Sequence, residues 1–483
     1  MPRLRALLLP LVLLALGAAG LLLVLRFRGP GVGKPKGPRV MLQVEPDPSL
    51  SPAAARGLDL LLHDHLELHG TCTVMPWMAD GDRRLAAVER AGVLQLRLHP
   101  RRSGDDLALE SAWSLRRAGA WTHHSSAAAE PLAALEALGG FLPTLRLRAP
   151  DEAYAPRGPG FWALSEAIGL GRMKTDDAQA LRLARQSAAS APRCATARAT
   201  LALALLRSGV EDPGHPAEML EELEEALRLS PGHPRISYVA ASILVEMGRH
   251  RDALELLRPA VAAHPDLPDP LQGVVYAART SGLLDLAGRA HRAEERLLLG
   301  PPPRLPLLVL LYRREFIAFE RHCREGESQS PTLAHFYLGY LALARGATPE
   351  AKAELRQAWH PVDPGWEEIG SRARIWSLHL DGRRDEALAA LADLERQRAG
   401  ARAPDGEFTF MLAEAHGLLG DPDGALDQAQ RALAQGFACT DWFERSPFLE
   451  PMRRHPRWFA LRDHLQARQK LLEERFTPES FGL

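Results

Sequence analysis

The chain has 483 residues, too many for a single hydrophobic core, and 46% of them are apolar, which is ample for folding. Its formal net charge is −1, yet residues 1–39 hold seven basic residues and no acid, which leaves −8 on the remainder. A mildly acidic body lacks the cationic surface that phosphate backbones require, so nucleic acid is excluded as a partner, whereas the basic end suits anionic lipid head groups.

Residues 6–25 form an uncharged stretch of 20 residues, and a helix of that length spans the roughly 30 Å of a bilayer core. The small residues Gly17, Ala18, Ala19 and Gly20 lie inside the stretch, and Leu21-Leu22-Leu23-Val24-Leu25 continues past them. A cleaved signal peptide ends its apolar region before such a site, so an uncleaved single-pass anchor is expected over residues 1–28. More basic residues follow the span than precede it, which favours a cytoplasmic body. The leading tail is short enough to cross either way, so the periplasmic side stays open.

Residues 29–38 (GPGVGKPKGP) suit neither helix nor central strand and read as a linker. A small α/β domain is expected over 39–148. Strands are predicted at 39–44, 71–77, 93–98, 107–115 and 145–148 from apolar alternation. Helices are predicted at 51–69, where Ser51 caps and Pro52 opens the first turn, at 82–91 and at 130–141. Residues 149–160, with three prolines and two glycines, read as a second linker.

From Phe161 onward the sequence is a succession of Ala/Leu-rich helical segments. Gly209, Gly248, Gly282, Gly346, Gly382 and Gly420 recur at intervals of 39, 34, 64, 36 and 38, the 64 being two units. Each glycine follows a helix, where it can take the left-handed conformation that ends one. Five residues after five of them stands an alanine, namely Ala253, Ala287, Ala351, Ala387 and Ala425. An alanine there lets a second helix approach the first closely. About eight helix pairs are expected over 161–436, the fifth degraded around 301–306, in a mainly α chain that forms an α-solenoid.

Leu338-Gly339 ahead of Gly346, Arg249-His250-Arg251-Asp252-Ala253-Leu254 and Asp385-Glu386-Ala387-Leu388 carry a resemblance to the tetratricopeptide repeat family. The resemblance implies a scaffold that binds a protein or peptide in its concave groove. Positions ten and six before the turn glycine face that groove in the family. Here they are Tyr238 and Ser242, Gln272 and Tyr276, Phe336 and Tyr340, Arg372 and Trp376, and Phe410 and Glu414. Six of the ten are aromatic, which suits peptide binding. A register error of one would turn the same rings inward, to pack between repeats. Residues 437–483, with Trp442-Phe443 and Trp458-Phe459, resemble the closing segment found after such repeats in bacterial sensor proteins and read as a cap over the last apolar face.

The order of anchor, α/β domain and repeats also resembles the sensor half of membrane-bound bacterial transcription activators and kinases. Five residues precede the span, so their output domain is expected to be absent. In that alternative the 39–148 domain perceives a ligand and the repeats relay it. No phosphate loop, G-x-S-x-G or H-E-x-x-H occurs, and an enzyme, a cofactor and a metal are not expected. The four cysteines, Cys72, Cys194, Cys323 and Cys439, form no C-x-x-C pair. His65 and His69 share a helix face, while His63 points away from it. Two histidines lack the third ligand that zinc needs, so a solvated face is expected there, and His123-His124 has the same status.

Overall fold

The computed structural model describes residues 32–483 apart from 34, 36, 46, 71, 77–90, 115–120, 127, 143–144, 146, 148–149, 151–153, 174–175, 209–214, 300–307, 328–329, 363–365 and 400–404. The expected span at 6–25 lies outside the described residues, as does nearly all of the expected helix at 82–91 and the turn glycine Gly209. Among the described residues no helix is long and apolar enough to cross a membrane.

Five strands form one mixed sheet in the order β2-β1-β3-β4-β5. They are β1 (Arg39–Val44), β2 (Thr73–Pro76), β3 (Leu94–Ser103), β4 (Asp106–Ser114) and β5 (Thr122–Ser125). β1 runs parallel to β2 and β3, and β3-β4-β5 is an antiparallel meander. Alternation puts Val40, Leu42, Val74, Leu94, Leu96, Leu98, Leu107 and Leu109 on one face. That face packs in one core with helices α1 (Pro52–His69) and α2 (Pro131–Phe141). Ser51 caps α1, its side chain accepting from the Ala54 N–H at 3.1 Å. β5 was not expected from the sequence, because Thr122-His123-His124-Ser125 has no apolar alternation. Conversely, no strand forms among the described residues of 145–148, where Leu145 sits in a turn.

Among the described residues, the helices between Pro159 and Ala434 fall into eight consecutive pairs. Pair 1 is α3 (Pro159–Met173) with α4 (Asp177–Ser190), and pair 2 is α5 (Ala195–Ser208) with α6 (His215–Leu229). Pair 3 is α7 (Pro234–Glu246) with α8 (His250–Ala263), and pair 4 is α9 (Pro268–Ser281) with α10 (Leu284–Leu298). Pair 5 is the short α11 (Leu308–Tyr312) with α12 (Phe316–Gly326), and pair 6 is α13 (Pro331–Ala344) with α14 (Thr348–Trp359). Pair 7 is α15 (Glu367–Leu380) with α16 (Arg384–Ala399), and pair 8 is α17 (Gly406–Leu418) with α18 (Pro422–Ala434).

Gly248, Gly282, Gly346, Gly382 and Gly420 all have φ between 71° and 88°, the left-handed turn that separates the helices of a pair. The five alanines downstream of them are fully buried between the paired helices. Gly339 explains why the pattern wants glycine before the turn. A β-carbon there would come within 2.7 Å of Leu355 Cγ on the partner helix. First helices of neighbouring pairs approach one another more closely than second helices do, so the first helices line the concave side.

The sheet is docked on this solenoid. α1 crosses α3 so closely that a β-carbon on Gly57 would fall on the Ser165 carbonyl, and one on Gly169 on the Ala53 carbonyl. The Ser165 hydroxyl donates to the Ala54 carbonyl at 2.8 Å. Met41 and Met75, on the other sheet face, pack on Leu298 of α10. Arg39 donates from Nε and Nη2 to the carbonyls of Leu297 and Arg296, each at 2.9 Å. A cation there also complements the helix C-terminus. The two segments read as linkers are packed rather than extended in their described parts. Gly33 N–H donates to the Pro265 carbonyl at 2.8 Å, and Tyr154 is buried with its hydroxyl donating to the Leu61 carbonyl.

Candidate functional site

The groove residues chosen from the sequence separate into two groups. In pairs 6–8, Phe336, Tyr340, Arg372, Trp376, Phe410 and Glu414 are at most 2% exposed. They face inward, but the hollow in front of them is filled by the chain itself. After α18 the backbone turns at Gly436 against the carbonyl of Val245, and the Ala438 N–H donates to the Thr280 carbonyl at 2.7 Å. It continues as α19 (Thr440–Arg445), a turn at Pro447–Leu449, α20 (Glu450–Arg453) and α21 (Pro456–Glu473). Phe448 then meets Tyr340 and Trp376, with ring centroids 5.0 and 5.1 Å away. Phe443 meets Phe410 at 4.6 Å, and Trp442 meets Tyr312 at 5.4 Å.

This segment therefore does more than the expected cap over the last apolar face. It plugs the inside of pairs 5–8 and reaches pairs 3 and 4. Arg468 of α21 donates to the Gly248 carbonyl and lies 2.7 Å from His250 Nδ1. Phe476 and Phe481 join the core formed by α8, α9 and α10. Pair 8 also bridges back to the middle of the solenoid. Glu407 pairs with Arg279 at 2.5 Å and accepts from the Tyr312 hydroxyl at 2.7 Å.

In pairs 3 and 4, by contrast, Tyr238, Ser242, Gln272 and Tyr276 stay partly accessible. Their surroundings are polar. Arg235 pairs with Asp269 at 3.3 Å and lies 5.3 Å from the Tyr238 ring centre. The Tyr276 hydroxyl donates to Glu246, and Arg279 lies 5.3 Å from the Tyr276 ring centre. Arg207, from α5, lies near Tyr238 and Glu246. This charged row was missed from the sequence, since only two positions per repeat were taken as groove-facing. The signal was there in Arg235 and Glu246, three before and eight after Tyr238.

Several inner carboxyls are held towards their neutral form. Burial pushes Glu414 up to about 7, against the Ser446, Tyr340 and Trp442 hydrogen bonds that pull it down. The Ser446 and Tyr340 hydroxyls donate to its Oε1 at 2.6 and 2.7 Å. Burial, with Asp405 and Glu407 nearby, pushes Glu246 up to about 8. Asp64 on α1 goes up to about 7, chiefly by burial and against the pull of Arg235. A carboxyl with a raised native pKa binds its proton more tightly when folded. Its contribution is complete below the unfolded value near 4.5 and is lost as pH rises through the folded one. Melting temperature should therefore fall between pH 5 and 8 in a buffer series. Glu414→Gln should flatten that slope, and an unchanged slope would remove Glu414 from the account.

His65, expected on a solvated face of α1, is not exposed, and the side chain of His69 lies outside the described residues. His65 is fully buried beside Tyr154, their ring centres 6.1 Å apart, and Asp64 is buried too. Among the described residues no group of three His, Cys, Asp or Glu side chains is placed to hold a metal, and all four cysteines are buried thiols.

The tetratricopeptide repeat family model matches residues 212–273, which cover α6, α7, α8 and the start of α9. No curated protein matches the sequence. Among solved structures, the human IFIT1 dimer with m7Gppp-AAAA is 16% identical, over 62% of this chain and 76% of that one, with a TM-score of 0.39. Yeast Tom70 is 12% identical, over 65% of this chain and 64% of that one, with a TM-score of 0.35. The P58(IPK) TPR domain is 13% identical, over 64% and 98%, with a TM-score of 0.18. The family match thus identifies residues 212–273 as tetratricopeptide repeats, and the turn glycine and buried alanine of pair 3, which lies inside the match, recur in the same register in pairs 4, 6, 7 and 8.

Proposed function

We propose that the chain is a membrane-tethered scaffold, binding rather than catalytic, that docks a partner protein on the inner face of helix pairs 2–4. One observation carries this reading. The inner face of pairs 5–8 is closed by the chain's own Trp442, Phe443 and Phe448, whereas Tyr238, Gln272 and Tyr276 stay partly accessible beside Arg235 and Glu246. Aromatic rings beside the Arg235–Asp269 ion pair suit a polar peptide, because the rings give contact area and the charges give register.

The test is affinity capture with the detergent-solubilised full chain, comparing it with a Tyr238→Ser, Gln272→Ala variant. A partner enriched by the parent should fall at least tenfold on the variant, which should melt near the parent because both side chains are partly exposed. Equal recovery of every partner by a folded variant would sink the reading. The tether rests on the uncharged stretch at 6–25. The full chain should stay with membranes through an alkaline carbonate wash, and deletion of residues 1–28 should release it. A mature N-terminus near residue 20 would show a cleaved leader instead.

A further inference from the structure

The sheet has a second face that the scaffold reading does not use. Strand register places Gln43, Gln95, Arg97, His99, Glu110, Ala112, His123 and Ser125 together on it. Near β1 and β2 this face is covered by α10, through Leu298 on Met41 and Met75. Over β3-β4-β5 it opens into a cavity of about 480 Å³, lined by Arg97, His99, Glu110, Trp121, His123 and Ser125 among others. The Arg97 guanidinium lies 4.6 Å above the centre of the Trp121 ring. A guanidinium stacked on a ring keeps its N–H donors in its own plane, directed along the ring face rather than into it. His99 and His123 flank Arg97 on the same face by register, and His99 Nδ1 lies 3.3 Å from Glu45. Glu110, opposite His99 in the ladder, is the carboxylate inside the cavity.

Among the described residues, two buried acceptors beside Arg97 have no hydrogen-bond partner. They are the side-chain carbonyls of Gln95, two residues before Arg97, and of Gln43, its register neighbour on β1. Gln95 is 2% exposed. A buried acceptor left unmet costs free energy, and a sheet built only to pack would carry an apolar side chain there. The cavity itself combines a cation, imidazoles, an indole and a carboxylate, the lining of a pocket for a small polar molecule.

We propose that this face binds a small, flat organic anion. Its carboxylate or phosphate lies on Arg97, His99 and His123, and its flat body lies against Trp121. Arginine favours such head groups because its donors match two oxygens at once.

The test is isothermal titration of the detergent-solubilised full chain with 4-hydroxybenzoate, with phenyl phosphate and with the neutral 4-hydroxybenzamide. Saturable binding of at least one anion is expected, with no detectable binding of the amide. The tighter anion then identifies the head group. Arg97→Gln should weaken that anion tenfold or more, and His123→Gln, on an exposed edge strand, about threefold. Melting curves check that both variants are folded, and His123→Gln carries the test if Arg97→Gln is not. Absence of saturable binding by either anion, equal binding of the amide, or affinity unchanged in the folded variants would overturn the proposal. None of these outcomes depends on partner capture at pairs 2–4.

Discussion

Replacing Tyr340 and Trp376 together by serine is expected to abolish cooperative folding of the solenoid's C-terminal half. Trp376 is fully buried and Tyr340 nearly so, their ring centres 5.1 Å apart. Phe448 packs on both, and Phe336 lies 5.6 Å from Trp376. Removing a buried aromatic side chain costs roughly 3–5 kcal/mol. Two such losses approach the entire stability of a typical domain, about 5–15 kcal/mol, even though contacting residues do not add strictly. The Tyr340 change also takes one of the donors from Glu414 and leaves a buried carboxyl less satisfied. Trp376→Phe separates core packing from partner recognition. Among the described residues the Trp376 indole N–H has no acceptor, so phenylalanine sacrifices volume and no described hydrogen bond. The single variant should fold, melt modestly lower and capture partners as the parent does. A double serine variant that melts within two degrees of the parent would show these rings to be outside the core.

The difference between groove and core at these positions was not readable from repeat register alone. Counting back from the turn glycine placed Phe336, Tyr340, Trp376 and Phe410 on the inner side of their helices, and they are there. The count could not show that Trp442, Phe443 and Phe448, more than sixty residues downstream of Trp376, return to occupy the space in front of them. That contact depends on the cumulative curvature of pairs 4–8, which brings Glu407 of the last pair onto Arg279 of the fourth. The turns themselves were legible, because a left-handed turn needs glycine and a close helix crossing needs alanine. Both demands are local and repeat. The strands β1, β3 and β4 were legible for a similar reason, as their alternation is set by one buried face. β5 was not, since an edge strand lying over a polar cavity has no apolar face to display. His65 was assigned to solvent because an amphipathic α1 has polar residues on one side, and the solenoid covers that side. The polar row Arg207, Arg235 and Glu246 went unnoticed because its members lie two and thirteen residues before the turn glycine, outside the two positions counted as groove-facing.

A valine at Gly57 or Gly169 is expected to separate the sheet from the solenoid. Both glycines lie where α1 crosses α3, and each faces a backbone carbonyl of the other helix, Ser165 for one and Ala53 for the other. A backbone carbonyl cannot rotate aside as a side chain can, so the whole helix must move. Simple overpacking of a core costs typically 1–3 kcal/mol. Here the displacement also breaks the hydrogen bond from the Ser165 hydroxyl to the Ala54 carbonyl. It opens the shared core of Leu58, Leu61, Leu62, Phe161 and Leu164 to water as well. At roughly 2–4 °C per kcal/mol for a unit of this size, either variant should melt about 10 °C lower or aggregate. Gly326→Ala is the control. Gly326 ends a helix with no described atom within 4 Å of an added β-carbon, so gaining a methyl group there should change melting little. The control distinguishes a tight crossing from a general intolerance of larger residues. If Gly57→Val and Gly169→Val melt like Gly326→Ala, then α1 is not clamped to α3 and the sheet is an independent unit. In that event a ligand on its open face would have no rigid path to the repeats. If both collapse, sheet and repeats behave as one body, and an anion bound over Arg97 should raise the melting temperature of the whole chain rather than of the sheet alone.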